Sequence, residues 1–157
     1  MNYFEILQIP NHPCPNLELV QQQYLILQQK FHPDLQSNDS SNFSSDLNLA
    51  YQTLKNPFLA SCYWLKLKGI DIFSDSCQVK PTTEILQEIF SLQSSIDADN
   101  KFIIKQALQQ KIKLAYENIL SFYQNYLTNK KDALLDFALY LIKIQYYQKT
   151  LQNLSKL

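Results

Sequence analysis

The sequence predicts an all-α protein, and three observations carry that prediction. A single glycine stands among 157 residues, which excludes Gly-rich phosphate loops and turn-rich β folds that repeatedly need positive φ. Leu, Gln, Lys and Ile are the commonest residues, and the first three, with Ala, rank high as helix formers. Apolar residues recur at three- and four-residue steps along most of its length, the period of a helix with one buried face. The breaks divide the chain into residues 1–70, a linker at 71–80 and a helical bundle over 81–157.

A short first helix follows Asn2, a good N-cap, and carries Tyr3, Phe4, Ile6 and Leu7 before Pro10 stops it. Pro13 and Pro15 keep the next stretch extended. Asn16 then caps a second helix whose stripe is Leu17, Val20, Tyr24, Leu27 and Phe31, with a Gln-rich opposite face ending in Lys30. Pro33 ends it, because the residue before a proline is pushed out of the helical region. The Ser-, Asn- and Asp-rich segment 35–45 reads as a solvated loop that leaves Asp39 and Asp46 outside the helices. A third helix carries Phe43, Leu47, Ala50 and Leu54. A fourth begins at Pro57 with Leu59, Tyr63, Trp64 and Leu67, and Gly69 suits its left-handed terminus.

From Thr82 the segments lengthen. One helix runs to about Ala98, a second from Lys101 to Tyr126, and a third from Lys130 to Leu154. Short turns at Asp97–Asn100 and Thr128–Asn129 leave an antiparallel three-helix bundle as the topology. In the first of these helices Ile85, Ile89, Leu92 and Ile96 form the packing stripe. Leu86 and Phe90 lie one residue step, about 100°, away from it. An apolar pair off the packing face reads as a docking patch or as a wide core stripe in equal measure.

Composition excludes several functions. Basic and acidic residues are both 14, and every basic one is Lys. Neither long-range steering to nucleic acid nor bidentate Arg recognition of phosphate is available. Polar residues interrupt every apolar run before it reaches membrane-spanning length. Cys14, Cys62 and Cys77 form no C-x-x-C pair, so neither a disulfide framework nor a zinc knuckle is expected. A reducing compartment is the natural setting. A ligand set of His12, Cys14 and His32 matches no established spacing, and no metal or cofactor is expected.

His32-Pro33-Asp34 is the densest chemical feature: a titratable ring, a fixed backbone and a carboxylate at a helix end. A general base with its orienting carboxylate is one reading. A helix C-terminus with a favourable His⁺ is the plain one. No marked nucleophile or oxyanion loop accompanies the triplet, so an enzyme is not expected. Its setting, between two amphipathic helices and before a polar loop, has the outline of a J domain.

The segments "YFEILQIP", "FHPD" and "LNLAYQTLKNPFLASCYWLKLKGIDI" resemble the HscB family of J-domain co-chaperones of iron–sulfur cluster assembly. The Gly/Phe-rich and zinc-binding regions of general DnaJ proteins, and the paired-cysteine zinc site of some vertebrate relatives, are absent from the pattern. The resemblance implies a J-domain hairpin at residues 1–70 that stimulates the ATPase of a DnaK-type, HscA-like chaperone. It also implies that the bundle at 81–157 presents an IscU-like scaffold protein for cluster transfer and protein maturation. It assigns chaperone binding to Lys30, His32, Pro33 and Asp34, and scaffold binding to Leu86, Gln87, Phe90 and Tyr146, with Ile85 and Ile89 as alternates one residue away. It places the protein in the bacterial cytoplasm or an equivalent compartment such as the mitochondrial matrix. Tyr63, Trp64 and Leu67 are expected to hold the fourth helix between the two parts. This chain departs from the family where Gln replaces basic residues before the triplet, where Leu35 replaces a common Lys, and where Gln87 replaces an apolar residue. A J-domain adaptor for another client is the alternative, and a small helical hydrolase using His32 and Asp34 is a third reading.

Overall fold

A computed structural model describes residues 1–31, 40–128 and 130–156 of the chain. The described residues are helical with turns between helices and contain no strand. They divide into two compact units, Met1–Lys68 and Gly69–Leu157.

The first unit holds α1 (Tyr3–Ile6), α2 (Leu17–Lys30), α3 (Ser40–Leu54) and α4 (Pro57–Leu67). Asn2 and Glu5 form a reciprocal capping box at the start of α1. That helix ends before Pro10 is reached. Gln8 takes a left-handed φ of 56°, and Ile9 N–H reaches back to the Phe4 carbonyl at 3.0 Å, as in a Schellman turn. The pair α2/α3 is an antiparallel hairpin. Tyr24 stacks on Tyr51 with centroids 4.0 Å apart, and the Tyr24 hydroxyl donates to Asn48 Oδ1 at 2.8 Å. At the other end Phe31 meets Phe43 at 4.7 Å and Ser44 Oγ donates to the Phe31 carbonyl at 3.0 Å. The loop expected at 35–45 is therefore shorter at its far end: α3 starts at Ser40, and Asp46 is an exposed helical residue.

Helix α4 departs from the expected stripe. Leu59 and Leu67 are exposed, and the buried face is Phe58, Ser61, Cys62 and Leu65, joined by Ala60 and Trp64. A helix apolar on nearly every side gives periodicity little to discriminate. Buried Ser61 donates to the Pro13 carbonyl at 2.8 Å, satisfying both groups. Tyr63 stacks on Tyr3 at 4.3 Å and its hydroxyl accepts from Tyr3 N–H at 3.1 Å. Tyr63 thus serves packing inside the first unit, and buried Trp64 has the Lys68 ammonium 5.3 Å from its ring centroid.

The second unit holds α5 (Thr83–Ser94), α6 (Lys101–Glu117), α7 (Ile119–Thr128) and α8 (Lys130–Lys156). Thr82 caps α5 through its hydroxyl, which accepts from Ile85 N–H at 3.3 Å. Two boundaries differ from expectation: α5 stops at Ser94 rather than near Ala98, and the long 101–126 segment is broken at Asn118. Asn118 keeps φ −83° and ψ −8°, a tightened turn, and its amide donates to the Tyr140 hydroxyl at 3.2 Å. The leg therefore continues through α7 with a local change of pitch. Contacts from Phe122 to Phe137, Asn118 to Tyr140 and Tyr116 to Gln148 run in opposite chain directions, so α6–α7 and α8 are antiparallel. Ile89, Leu108, Tyr147 and Leu154 form a buried cluster, with Ile85, Leu92, Ile96, Ile104, Ile112, Tyr146 and Leu151 packed around it. The result is a three-helix bundle with one broken leg.

Candidate docking surfaces

The first surface lies on α2. Its buried face is carried by Val20 and Leu27, while Leu17 is exposed although its spacing predicts packing. The outer face presents Gln21, Gln22, Gln28, Gln29 and Lys30, and the Lys30 ammonium lies 5.3 Å from the Phe31 ring centroid. Leu25 and Ile26 also stand on this face, 48% and 49% exposed. Sequence reasoning passed over that pair because it sits off the main stripe; the signal was two apolar residues bracketed by glutamines. His32, Pro33 and Asp34 lie outside the described residues, as does Asp39.

The second surface lies on α5. Ile85, Ile89, Leu92 and Ile96 face the bundle, and Leu86, Gln87 and Phe90 face outward, with Phe90 71% exposed. Hydrogen bonds from Tyr147 to Glu88 and from Gln93 to Thr150 advance together along both helices, so α5 and α8 run parallel. Gln93 shares the stripe of Leu86 and Phe90, and its bond to Thr150 puts that stripe along the α8 side. Tyr146 lies one turn before Thr150, and its carbonyl accepts the Thr150 hydroxyl at 2.9 Å. Tyr146 is half-buried against the core cluster, its ring 6.0 Å from the Lys149 ammonium. Leu86 and Phe90 are thus exposed on α5, and Tyr146 is half-buried on α8.

Between the outward residues of α5 sits Glu88. Its Oε1 accepts from Lys111 Nζ at 3.1 Å and from the Tyr147 hydroxyl at 2.6 Å, and its Oε2 lies 3.4 Å from Lys143 Nζ. Both ammonium groups also approach the Tyr147 ring, at 5.6 and 5.7 Å from its centroid. Desolvation raises the Glu88 pKa, but the Tyr147 and Lys111 hydrogen bonds and the two lysine charges outweigh it, leaving the carboxyl below its ordinary value. Burial, and then the adjacent carboxylate, push the Tyr147 hydroxyl up. Nothing in the sequence marked Glu88, since its partners lie 23 and 59 residues away.

Elsewhere, His12 Nδ1 accepts the backbone N–H of Cys14 at 3.0 Å, so that ring nitrogen already has a donor. Burial raises the pKa of the Cys14 thiol, which lowers its thiolate fraction. Among the described residues, no three His, Cys, Asp or Glu side chains are grouped to hold a metal ion. No helix among them is long and apolar enough to cross a membrane.

This architecture defines a class: an all-helical protein made of a J-type hairpin unit and a three-helix bundle. The HscB protein of Vibrio cholerae shares the fold with a TM-score of 0.74 at 23% identity, over 99% of this chain and 96% of that one. Human HscB shares it with a TM-score of 0.81 at 22% identity, over 99% and 81%. In sequence, the chain is 32% identical over 127 residues to the co-chaperone HscB of Buchnera aphidicola, covering 71% of this chain and 72% of that protein. It is 32% identical over 113 residues to HscB of Proteus mirabilis, covering 64% and 65%. No protein-family profile matches. The chain belongs to the HscB family of co-chaperones.

Proposed function

We propose that this protein stimulates the ATPase of a DnaK-type, HscA-like chaperone through its first unit and delivers an IscU-like scaffold through its second, in the service of iron–sulfur cluster transfer. On this reading it is an adaptor and hydrolyses nothing itself. The first unit, residues 1–70 by sequence, is the J domain, residues 71–80 are a linker, and 81–157 bind the scaffold in the bacterial cytoplasm or an equivalent reducing compartment. The observation that carries the reading is the hairpin itself. The sequence sets His32-Pro33-Asp34 between α2 and α3, whose ends are tied by the Phe31–Phe43 contact.

In this mechanism Asp34 accepts a basic group of the chaperone, a charge-assisted bond. His32 and Pro33 contact the chaperone beside it, and Lys30 adds the one positive charge on the α2 face. Leu86, Gln87, Phe90 and Tyr146 receive the scaffold. Support comes from the 71% exposure of Phe90 beside a fully packed Ile89, since apolar area left outside a core gains from a partner.

Steady-state ATP hydrolysis by the purified chaperone tests the first half. Wild-type protein raises the rate, and His32→Gln or Asp34→Asn removes most of the increase; full stimulation by both variants overturns the reading. Hydrolysis by this protein without chaperone would favour the hydrolase reading instead. Titration with the scaffold tests the second half. Unchanged affinity in Leu86→Ala/Phe90→Ala would point to an adaptor for another client.

A further inference from the structure

We infer that Glu88 is a positioning residue for the docking face of α5: the carboxylate locks the helix at the rotation that puts Leu86, Gln87 and Phe90 outside the bundle. The inference rests on the reading above that those residues meet the scaffold.

Helix α5 has 12 residues, and Ile89 is the one it buries fully. Two apolar pairs lie one residue apart on it, Ile85 with Ile89 and Leu86 with Phe90. Rolling the helix by about 100° exchanges one pair for the other. The Ile85 and Ile89 side continues through Leu92 and Ile96, whereas the Leu86 and Phe90 side runs into Gln93, so burial favours the first. Being non-directional, burial decides which side meets the bundle and leaves the exact angle of α5 loosely set.

Directional bonds fix that angle. Glu88 lies at the junction of α5 with both other legs, 3.1 Å from Lys111 on α6, and 2.6 and 3.4 Å from Tyr147 and Lys143 on α8. Rolling α5 by one residue step would swing the carboxylate out of the junction and break all three contacts. It would also leave the Tyr147 hydroxyl, on a side chain 3% exposed, without its acceptor, an arrangement that proteins avoid. The network therefore favours the rotation in which Phe90 is outside.

The test uses the full chain and a double-mutant cycle. Glu88→Ala should weaken scaffold binding about fivefold, and Tyr147→Phe, which leaves the carboxylate with its lysines, by less. Phe90→Ala should weaken it more. In Glu88→Ala/Phe90→Ala the losses should combine to less than their product, because a misplaced face has nothing left to misplace. Chaperone stimulation without scaffold, a property of the first unit, should stay at the wild-type level. Wild-type affinity in Glu88→Ala alongside a loss in Phe90→Ala overturns the positioning role and leaves the docking reading standing. Wild-type affinity in Phe90→Ala removes the docking reading itself. Multiplicative losses, or a fall in stimulation parallel to binding, would mean that Glu88 only holds the fold.

Discussion

Ile89 and Phe90 are adjacent in sequence and opposite in consequence, at 5% and 71% exposure. Truncating Ile89 to Ala leaves a cavity in the bundle and should cost about 2–4 kcal/mol in chemical denaturation. Phe90→Ala should shift the same transition by less than about 0.5 kcal/mol while weakening the scaffold complex. A shared loss of stability would place Phe90 in the core. Glu88 contributes a pH dependence of definite sign. Its folded pKa is lowered, so its stabilisation is present above the ordinary carboxylate value and is lost as pH falls through the folded one. Wild type should thus lose its advantage over Glu88→Gln below the ordinary carboxylate range, and an advantage that persists at lower pH would contradict the network. Spacing put Leu86 and Phe90 off the packing stripe but left a wide core stripe equally open, and their exposure decides between the two. Glu88 was not legible, because a carboxylate facing three donors from two other helices leaves no periodic mark on its own segment.

At the scale of elements, helix starts were more legible than helix stops. Asn2, Asn16, Asn56 and Thr82 each accept backbone N–H groups at an N-terminus, and side-chain caps are local chemistry that sequence displays. Asn56 receives both Phe58 and Leu59 N–H, at 3.0 and 3.2 Å. Asn56→Ala should therefore destabilise the first unit by about 1 kcal/mol in a denaturant titration, and no measurable change would mean that the cap is replaced by water. The stops depended on less visible terms. Helix α1 ends in a left-handed Gln8, and the long leg changes pitch at Asn118, whose amide answers a tyrosine 22 residues later. The buried side of α4 was misread for a related reason. When apolar residues surround a helix, long-range partners such as Pro13 choose which side is covered.

For the whole molecule, 14 acidic and 14 basic residues cancel, and the α2 face replaces charge with glutamine, Leu25 and Ile26. Association driven by such a face is little screened by salt. Chaperone stimulation should change by less than about threefold between 50 mM and 0.5 M salt, with Lys30→Ala close to wild type; a steep salt slope abolished by Lys30→Ala would show that the single ammonium drives docking. The two-part helical architecture was legible because period and proline placement recur along the chain, whereas a patch is a property of surfaces that sequence does not draw. The ties between the start of the first unit and α4 carry a further consequence, for synthesis on the ribosome. Tyr3 finds Tyr63 across 60 residues, and Pro13 finds Ser61 across 48. With four residues, α1 is far too short to persist by itself. At translation speeds of roughly 5–20 residues per second, Tyr3 emerges on the order of 3–12 seconds before Tyr63 is made. In nascent chains cut before α4, residues 3–13 should be more protease-sensitive than in the complete unit, because Tyr3 and Pro13 gain their bonds to Tyr63 and Ser61 only when the last helix arrives.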